Sequence, residues 1–330
     1  MRLTHIVQFS GGIGSFAAAE RVVAEYGTEA TTLLFADTMT EDEDTYRFLY
    51  QAASFLGCKL EVIADGRNVW EIFEYKRFLG NSRVDPCSRI LKRELCKAWV
   101  ESNFNPDNCR LYVGIDWTEA HRMKNVLNWW SPFSVYAPLV TDYTYDKEKA
   151  IQRLHDAGIA RQRLYTLGFP HANCGGFCIK AGKAHFLHLL QNLPAVYAYH
   201  ERKEQEFQAF IGKPYTVLRE NKVYKDAVAA WGAFEATRDR GSKIYRWLPE
   251  TKRYVEIEEP TVEKVVYEEK VRIQTYLSLK ELRERAEFHR QTEEGQDDWG
   301  GCACATDMDE EEIAEEQARV AKKYGRQSSC

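Results

Sequence analysis

Nowhere in its 330 residues does this chain carry an apolar run approaching the roughly 20 residues that cross a bilayer. That absence excludes an ordinary membrane-spanning helix and sets the expectation of no membrane partner. The opening stretch, MRLTHIVQFS, lacks the long apolar region of a secretory signal and goes straight into a strand pattern, so the expected location is cytoplasmic. The chain has no excess of positive charge: its formal net charge is −5, which argues against a protein that coats nucleic acid generally, although a local basic cleft remains open. It also lacks internal repeats and any long low-complexity tract. The Gly-Lys-Ser/Thr ending of a Walker loop is missing as well.

A hydrophobic fraction of 44% and an aromatic fraction of 13% support a well-packed core, and the length suits one large domain or a catalytic domain with an appendage. Nine cysteines in a cytoplasmic setting read as thiols, metal ligands or redox groups rather than as a disulfide framework.

The first third alternates strand and helix signals. His5–Phe9, Thr31–Ala36, Lys59–Ile63 and Arg110–Ile115 are short β-branched or apolar runs, with helical stretches to about Tyr26 and over about Glu41–Leu56. This pattern predicts an α/β fold with a doubly wound, Rossmann-like parallel sheet, whose ligand sits beyond the carboxyl ends of the strands. Residues from about Asp146 to Gln208 read as a helical insert. Beyond about Gly212 the character shifts to a small α+β extension, with alternating strands over 243–275 and a charged helix over Leu277–His289. The expected domains are 1–210 and 211–330, the latter ending in a cysteine-containing tail.

Ser10-Gly11-Gly12-Ile13-Gly14-Ser15 stands between a strand and a helix. Glycines let the backbone curl around an anion, helix-start N–H groups point at it, and Ser10 and Ser15 add hydroxyls. The turn resembles the SGGxDS loop of the PP-loop ATP pyrophosphatases, with Gly14 where that family usually has aspartate. Further blocks resemble the phosphoadenosine phosphosulfate reductase-like branch: Asp37-Thr38 after the second strand, Asp85-Pro86-Cys87-Ser88-Arg89 with Lys92, Gly114-Ile115-Asp116 with Glu119 and Arg122, and Gly158 through Cys174 and Cys178. Together they cover about residues 5–180 in the family's order.

The resemblance implies an enzyme that binds an adenine nucleotide, ATP with Mg²⁺, at Ser10, Gly11, Gly12, Gly14, Ser15, Asp37, Thr38, Arg89, Lys92, Gly114 and Arg122. It implies adenylylation of a substrate and then sulfur transfer to a nucleobase, nucleotide or nucleic-acid acceptor. Its partners would be a sulfur donor or thioredoxin-like reductant, and its assembly a homodimer. Two alternatives are a thiol-using phosphosulfate reductase and a nucleotide-binding regulator without catalysis. The cationic side chains suit phosphate oxygens, yet Arg89, Lys92 and Arg93 also lie at the spacing of a solvated helix face.

The family's iron–sulfur branch implies a 4Fe–4S cluster on Cys87, Cys174 and Cys178, either with an open iron or with Cys302 or Cys304 as the fourth ligand. Zinc with His171 or His185 is a second reading, and small buried thiols beside a Gly-Gly turn a third. Cys58, Cys96 and Cys109 read as core. Cys87, Cys302 and Cys304 are the candidate catalytic thiols, the last two on a glycine-flanked tail. Acidic neighbours there (Glu293, Glu294, Asp297, Asp298, Asp307 and Asp309) oppose thiolate formation and favour ligation over nucleophilic attack. Trp129, Trp130 and Tyr136 read as packing, with a substrate platform as the alternative.

Overall fold

The computed structural model describes residues 3–80, 84–142 and 145–292, with side chains to Phe288. The chain divides into two compact units. The first comprises 1–179 and 192–217, and the second comprises 180–191 and 218–330. The single break after 210 in the sequence reading is thus a longer first segment, ending at Val217, with a helix of the insert assigned to the second unit.

The first unit holds a five-stranded parallel sheet: β1 (Thr4–Gln8), β2 (Thr31–Asp37), β3 (Lys59–Ala64), β4 (Cys109–Tyr112) and β5 (Ser134–Tyr136), in the order β3-β2-β1-β4-β5. Period-two alternation sends Val7, Leu33 and Phe35 to one face and Ile6, Leu34 and Leu111 to the other. Each set is buried in its own apolar cluster. Burial on both faces explains why these strands read as near-continuous apolar runs.

Helices α1 (Ile13–Tyr26) and α2 (Glu43–Leu56) cover the first face, joined there by Ala150 and Leu154 of the helix Lys147–Asp156. On the second face lie α3 (Leu95–Asn103), which contributes Cys96 and Val100, and Trp130 from the helix Met123–Trp130. The doubly wound α/β expectation therefore holds. The second helix starts at Glu43 rather than about Glu41, because Asp42 caps it by accepting from the Asp44 N–H at 2.9 Å. The strand order reverses between β1 and β4, and a doubly wound sheet opens its ligand crevice beside such a reversal.

The second unit carries an antiparallel sheet of β6 (Leu218–Tyr224), β7 (Lys243–Leu248), β8 (Arg253–Glu256) and β9 (Val271–Leu277), ordered β6-β9-β7-β8. The first of these strands was not read from the sequence. Its interior is polar on both faces (Arg219 to Lys222), with only Leu218 buried, so it lacks the apolar alternation of a half-buried strand. Helix α4 (Ala227–Glu235) packs Ala227, Ala230 and Phe234 against Ile244, Val271 and Ile273. No described helix is long and apolar enough to cross a membrane.

Candidate nucleotide site and its thiol turn

The Ser10–Ser15 turn leaves the carboxyl end of β1, immediately beside the strand-order reversal. Gly11 sits at φ +80°, a conformation that a side chain would strain. Gly12 occupies the N-cap of α1 without any side-chain cap, and the first turn has no acidic residue. The helix start is thus a positive dipole end with no carboxylate of its own to repel an anion. Ser15, buried, donates to the Gly12 carbonyl at 2.8 Å, and Ser10 Oγ lies 3.5 Å from Ser15 Oγ.

Gly14 has a structural reason. A Cβ there would stand 2.7 Å from the Gly114 carbonyl oxygen, and a Cβ on Gly114 would stand 2.5 Å from the Ser15 nitrogen. The glycine turn and the segment after β4 meet backbone to backbone, and the close approach excludes the aspartate usual in the resembling loop. Gln162, which the sequence reading did not include, closes the turn from the other side. Only 1% exposed, it donates through Nε2 to the Gly11 carbonyl, while its Oε1 has no partner among the described residues. Nothing in the residues flanking Gln162 marks it, since the contact spans the chain from 11 to 162.

Beyond β2, Asp37 is held in place by the Met39 N–H and the Tyr46 hydroxyl, both donating to its Oδ1 at 2.8 Å. Burial, helped by the Asp37 carboxylate, raises the Tyr46 pKa above the ordinary tyrosine value. The loop then delivers Glu41, whose side chain is 2% exposed and accepts three donors. Thr38 Oγ1 donates at 2.9 Å and Lys92 Nζ at 3.3 Å to one oxygen, and the Cys174 N–H donates at 2.7 Å to the other. Burial works against the Lys92 charge, but Glu41 outweighs it and lifts the pKa above that of a free lysine.

Cys174 adopts a left-handed conformation at φ 52°, unusual for a residue with a side chain, and Gly175 follows at φ 60°. A Cβ on Gly175 would meet the Thr40 carbonyl at 2.8 Å, so the cysteine turn also sits flush against the loop after β2. The Glu41 clamp on Cys174 N–H and this contact supply the constraint that such a strained residue needs.

Chain matching adds little to this geometry. No protein-family model and no curated protein matches the chain. Among solved structures it is similar to one titled as the predicted subunit of tRNA methyltransferase from Methanocaldococcus jannaschii. The two share 15% identity over 52% of this chain and 94% of that one, with a TM-score of 0.30.

The fold brings Cys87 within electrostatic range of Cys174 and Cys178, although the chain separates them widely. Burial pushes the Cys87 thiol up to about 11; Cys178 and Asp85 add to this, while the Ser88 N–H and Lys92 oppose it. Burial likewise raises Cys174 to about 12 against the pull of Lys92. Both are thiols rather than thiolates at neutral pH. Among the described residues no group of three or more His, Cys, Asp or Glu is disposed to hold a metal ion. As arranged here, the three thiols do not make a ligand set for a cluster or zinc. Cys302 and Cys304 lie outside the described residues. Cys96 and Cys109 are buried and Cys58 is half-buried, all free thiols.

The remaining cations divide. Lys92 lies in a π-helical turn, Arg89–Glu94, and reaches the site through Glu41. Arg89 instead pairs with Glu94 at 2.7 Å and Arg122 with Glu119 at 2.5 Å, both on the exposed surface. Trp130 is buried in the core, whereas Trp129 lies beneath the cations of Arg93 and Lys97 and Tyr136 is exposed. His171 keeps a lowered pKa through burial.

Proposed function

We propose that the first unit is an adenine-nucleotide-dependent enzyme that activates its substrate by adenylylation and then passes it to a sulfur nucleophile. The carrying observation is the Ser10–Ser15 turn: an uncapped helix start without acidic residues, set at the strand-order reversal and locked by Gly114 and Gln162. The triphosphate of ATP would lie against the N–H groups of this turn, and Asp37 and Thr38 at the end of β2 would border the nucleoside. Mg²⁺ would arrive with the phosphates and offset their charge.

In the first step a substrate oxygen attacks the α-phosphorus and the bond to the bridging oxygen breaks, releasing pyrophosphate. In the second, sulfur attacks the carbon bearing that oxygen and AMP leaves with the C–O bond electrons. The sulfur loses its proton to solvent. Cys87, beside Lys92, is the chain's described candidate to carry the sulfur as a persulfide taken from a sulfur donor; once the outer sulfur has attacked, a dithiol reductant cleaves the S–S bond, is itself oxidised to a disulfide, and frees the thiolated product and the Cys87 thiol. Lys92 favours the Cys87 thiolate, while burial keeps most of it protonated. A nucleobase or nucleic acid is the acceptor class that this reading favours.

The test is release of pyrophosphate and AMP from α-labelled ATP with Mg²⁺, alone and with candidate acceptors, for the native chain and Ser15→Ala. The reading expects nucleotide binding in the native chain and its loss by at least tenfold in the variant. Absence of ATP binding at millimolar concentration refutes it. Binding without pyrophosphate release makes the protein a nucleotide-binding regulator, and sulfite formed from a phosphosulfate donor makes it a reductase.

A further inference from the structure

The sheet of the second unit has two unlike faces. Leu218, Ile244, Val271, Ile273 and Leu277 are buried on one, where α4 packs. Strand pleating sends alternate residues to the other. There the register sets Arg219 opposite Tyr276, Arg272 opposite Tyr245, and Trp247 opposite Tyr254. Aromatic rings and cations thus interleave across all four strands.

The pairs are in contact. The Arg219 guanidinium lies 5.4 Å from the Tyr276 ring, that of Arg272 lies 4.7 and 4.6 Å from Tyr245 and Tyr254, and Lys270 Nζ lies 4.8 Å from Trp247. All four rings are partly exposed. Tyr276 is braced from beneath, since a Cβ on Gly241 would come within 2.9 Å of its ring. Glu256, the carboxylate on this face, is taken by Lys243 at 2.9 Å. Arg219, Lys270 and Arg272 have no carboxylate partner among the described residues, and Arg272 Nε has no hydrogen-bond partner there.

Three cations without a carboxylate partner, of which Arg219 donates to Gln274 at 3.4 Å, stand among four partly exposed rings and call for a ligand that offers both anions and flat apolar faces. A single-stranded nucleic acid has both, because its phosphates pair with cations and its unpaired bases stack on rings. A duplex keeps its bases in its own stack, and an acidic peptide uses the cations but leaves the rings idle. At the middle of the face Gln274 donates to Asn221 at 3.2 Å and accepts from the Tyr245 hydroxyl at 3.5 Å. Gln274 is thereby held in place, and Asn221 keeps its amide N–H groups to donate to a ribose 2′-hydroxyl.

We propose that this open face of the four-stranded sheet binds single-stranded RNA, stacking bases on Trp247, Tyr254, Tyr245 and Tyr276 while Arg219, Lys270 and Arg272 meet the phosphates. This stands independently of the nucleotide reaction proposed for the first unit.

The experiment is fluorescence anisotropy of a labelled ten-nucleotide RNA with the full chain, across a salt series, against the same sequence as DNA, duplex RNA and heparin. The expected result is tightest binding to single-stranded RNA. Trp247→Leu and Tyr276→Leu each weaken it about tenfold, and Arg219→Gln lowers the salt slope by about 0.7 for a lost phosphate contact. Melting curves of the variants guard against misfolding, and Lys270→Gln supplies a second cationic variant should Arg219→Gln melt early. Equal affinity for DNA, duplex or heparin, or binding unmoved by all the variants, overturns the proposal. Pyrophosphate release measured in the same preparations separates the two readings. RNA binding without that reaction leaves this proposal standing, and the reaction without RNA binding removes only this one.

Discussion

Replacing Gly14 probes the backbone contact that builds the turn proposed to hold the nucleotide. In Gly14→Ala the new methyl meets the Gly114 carbonyl at 2.7 Å, well inside ordinary contact distance. The carbonyl cannot easily yield. It follows β4, which pairs with both β1 and β5, and the adjoining Val113 N–H is bonded to the Tyr136 carbonyl at 2.9 Å. Overpacking against a constrained backbone costs about 1–3 kcal/mol. For a unit of this size that lowers the melting temperature by about 3–10 °C. Gly14→Asp, which recreates the residue of the resembling loop, adds a carboxylate beside a carbonyl oxygen and a phosphate site. It should therefore melt no higher than Gly14→Ala and bind ATP more weakly than the native chain, instead of restoring the loop. The assay is thermal unfolding by circular dichroism with and without Mg-ATP. Gly232→Ala is the control, because no atom lies within 4 Å of its added Cβ. That exchange inside α4 should stabilise by about 0.5–1 kcal/mol. A Gly14→Ala protein that melts within about 1 °C of the native chain and binds ATP equally would refute the close-approach reasoning.

Three further outcomes follow from the same coordinates. Glu41→Gln removes the charge that Lys92 and the Cys174 N–H share, so the turn 174–177 should exchange its amide hydrogens at least tenfold faster, read by mass spectrometry; unchanged exchange would show that the Gly175–Thr40 contact suffices. Cys87, with its thiol raised to about 11, should alkylate slowly at pH 7 and gain roughly tenfold in rate per pH unit up to about pH 10, since the thiolate reacts; a rate that levels off below pH 8 would contradict a buried, protonated thiol. His200 is buried and accepts from Trp70 Nε1 at 2.9 Å, and burial lowers its pKa to about 3. Its depressed value means that the stability from the neutral ring is complete above about pH 6.5 and drains away as pH falls toward 3. His200→Gln should flatten the denaturation midpoint across pH 6 to 4, and an unaltered slope would place the acid sensitivity elsewhere.

The α/β class was legible because both faces of the parallel sheet are buried, so its strands appear as short apolar runs between helical stretches, as at Thr31–Ala36. The glycine turn was legible for a local reason as well: a strand, two glycines and a helix start are consecutive in the chain. β6 was not, since Arg219 to Lys222 are polar on both faces and show no alternation, and its pairing with β9 is remote. Arg89, Lys92 and Arg122 carry the same charge and look alike in sequence. Only the fold separates them, because Lys92 meets a buried carboxylate whereas the other two find exposed ones.

Composition and local pattern thus determined the layered sheet and where its glycine turn begins, both being consequences of burial periodicity and backbone freedom over a few residues. The tertiary structure decided which glycines tolerate no Cβ, that Gln162 closes the turn, that Cys87 joins Cys174 and Cys178, and that rings and cations interleave on the second sheet. Each of these depends on atoms brought together from distant parts of the chain, and contact at that range follows from packing the whole unit, not from the identity of neighbouring residues.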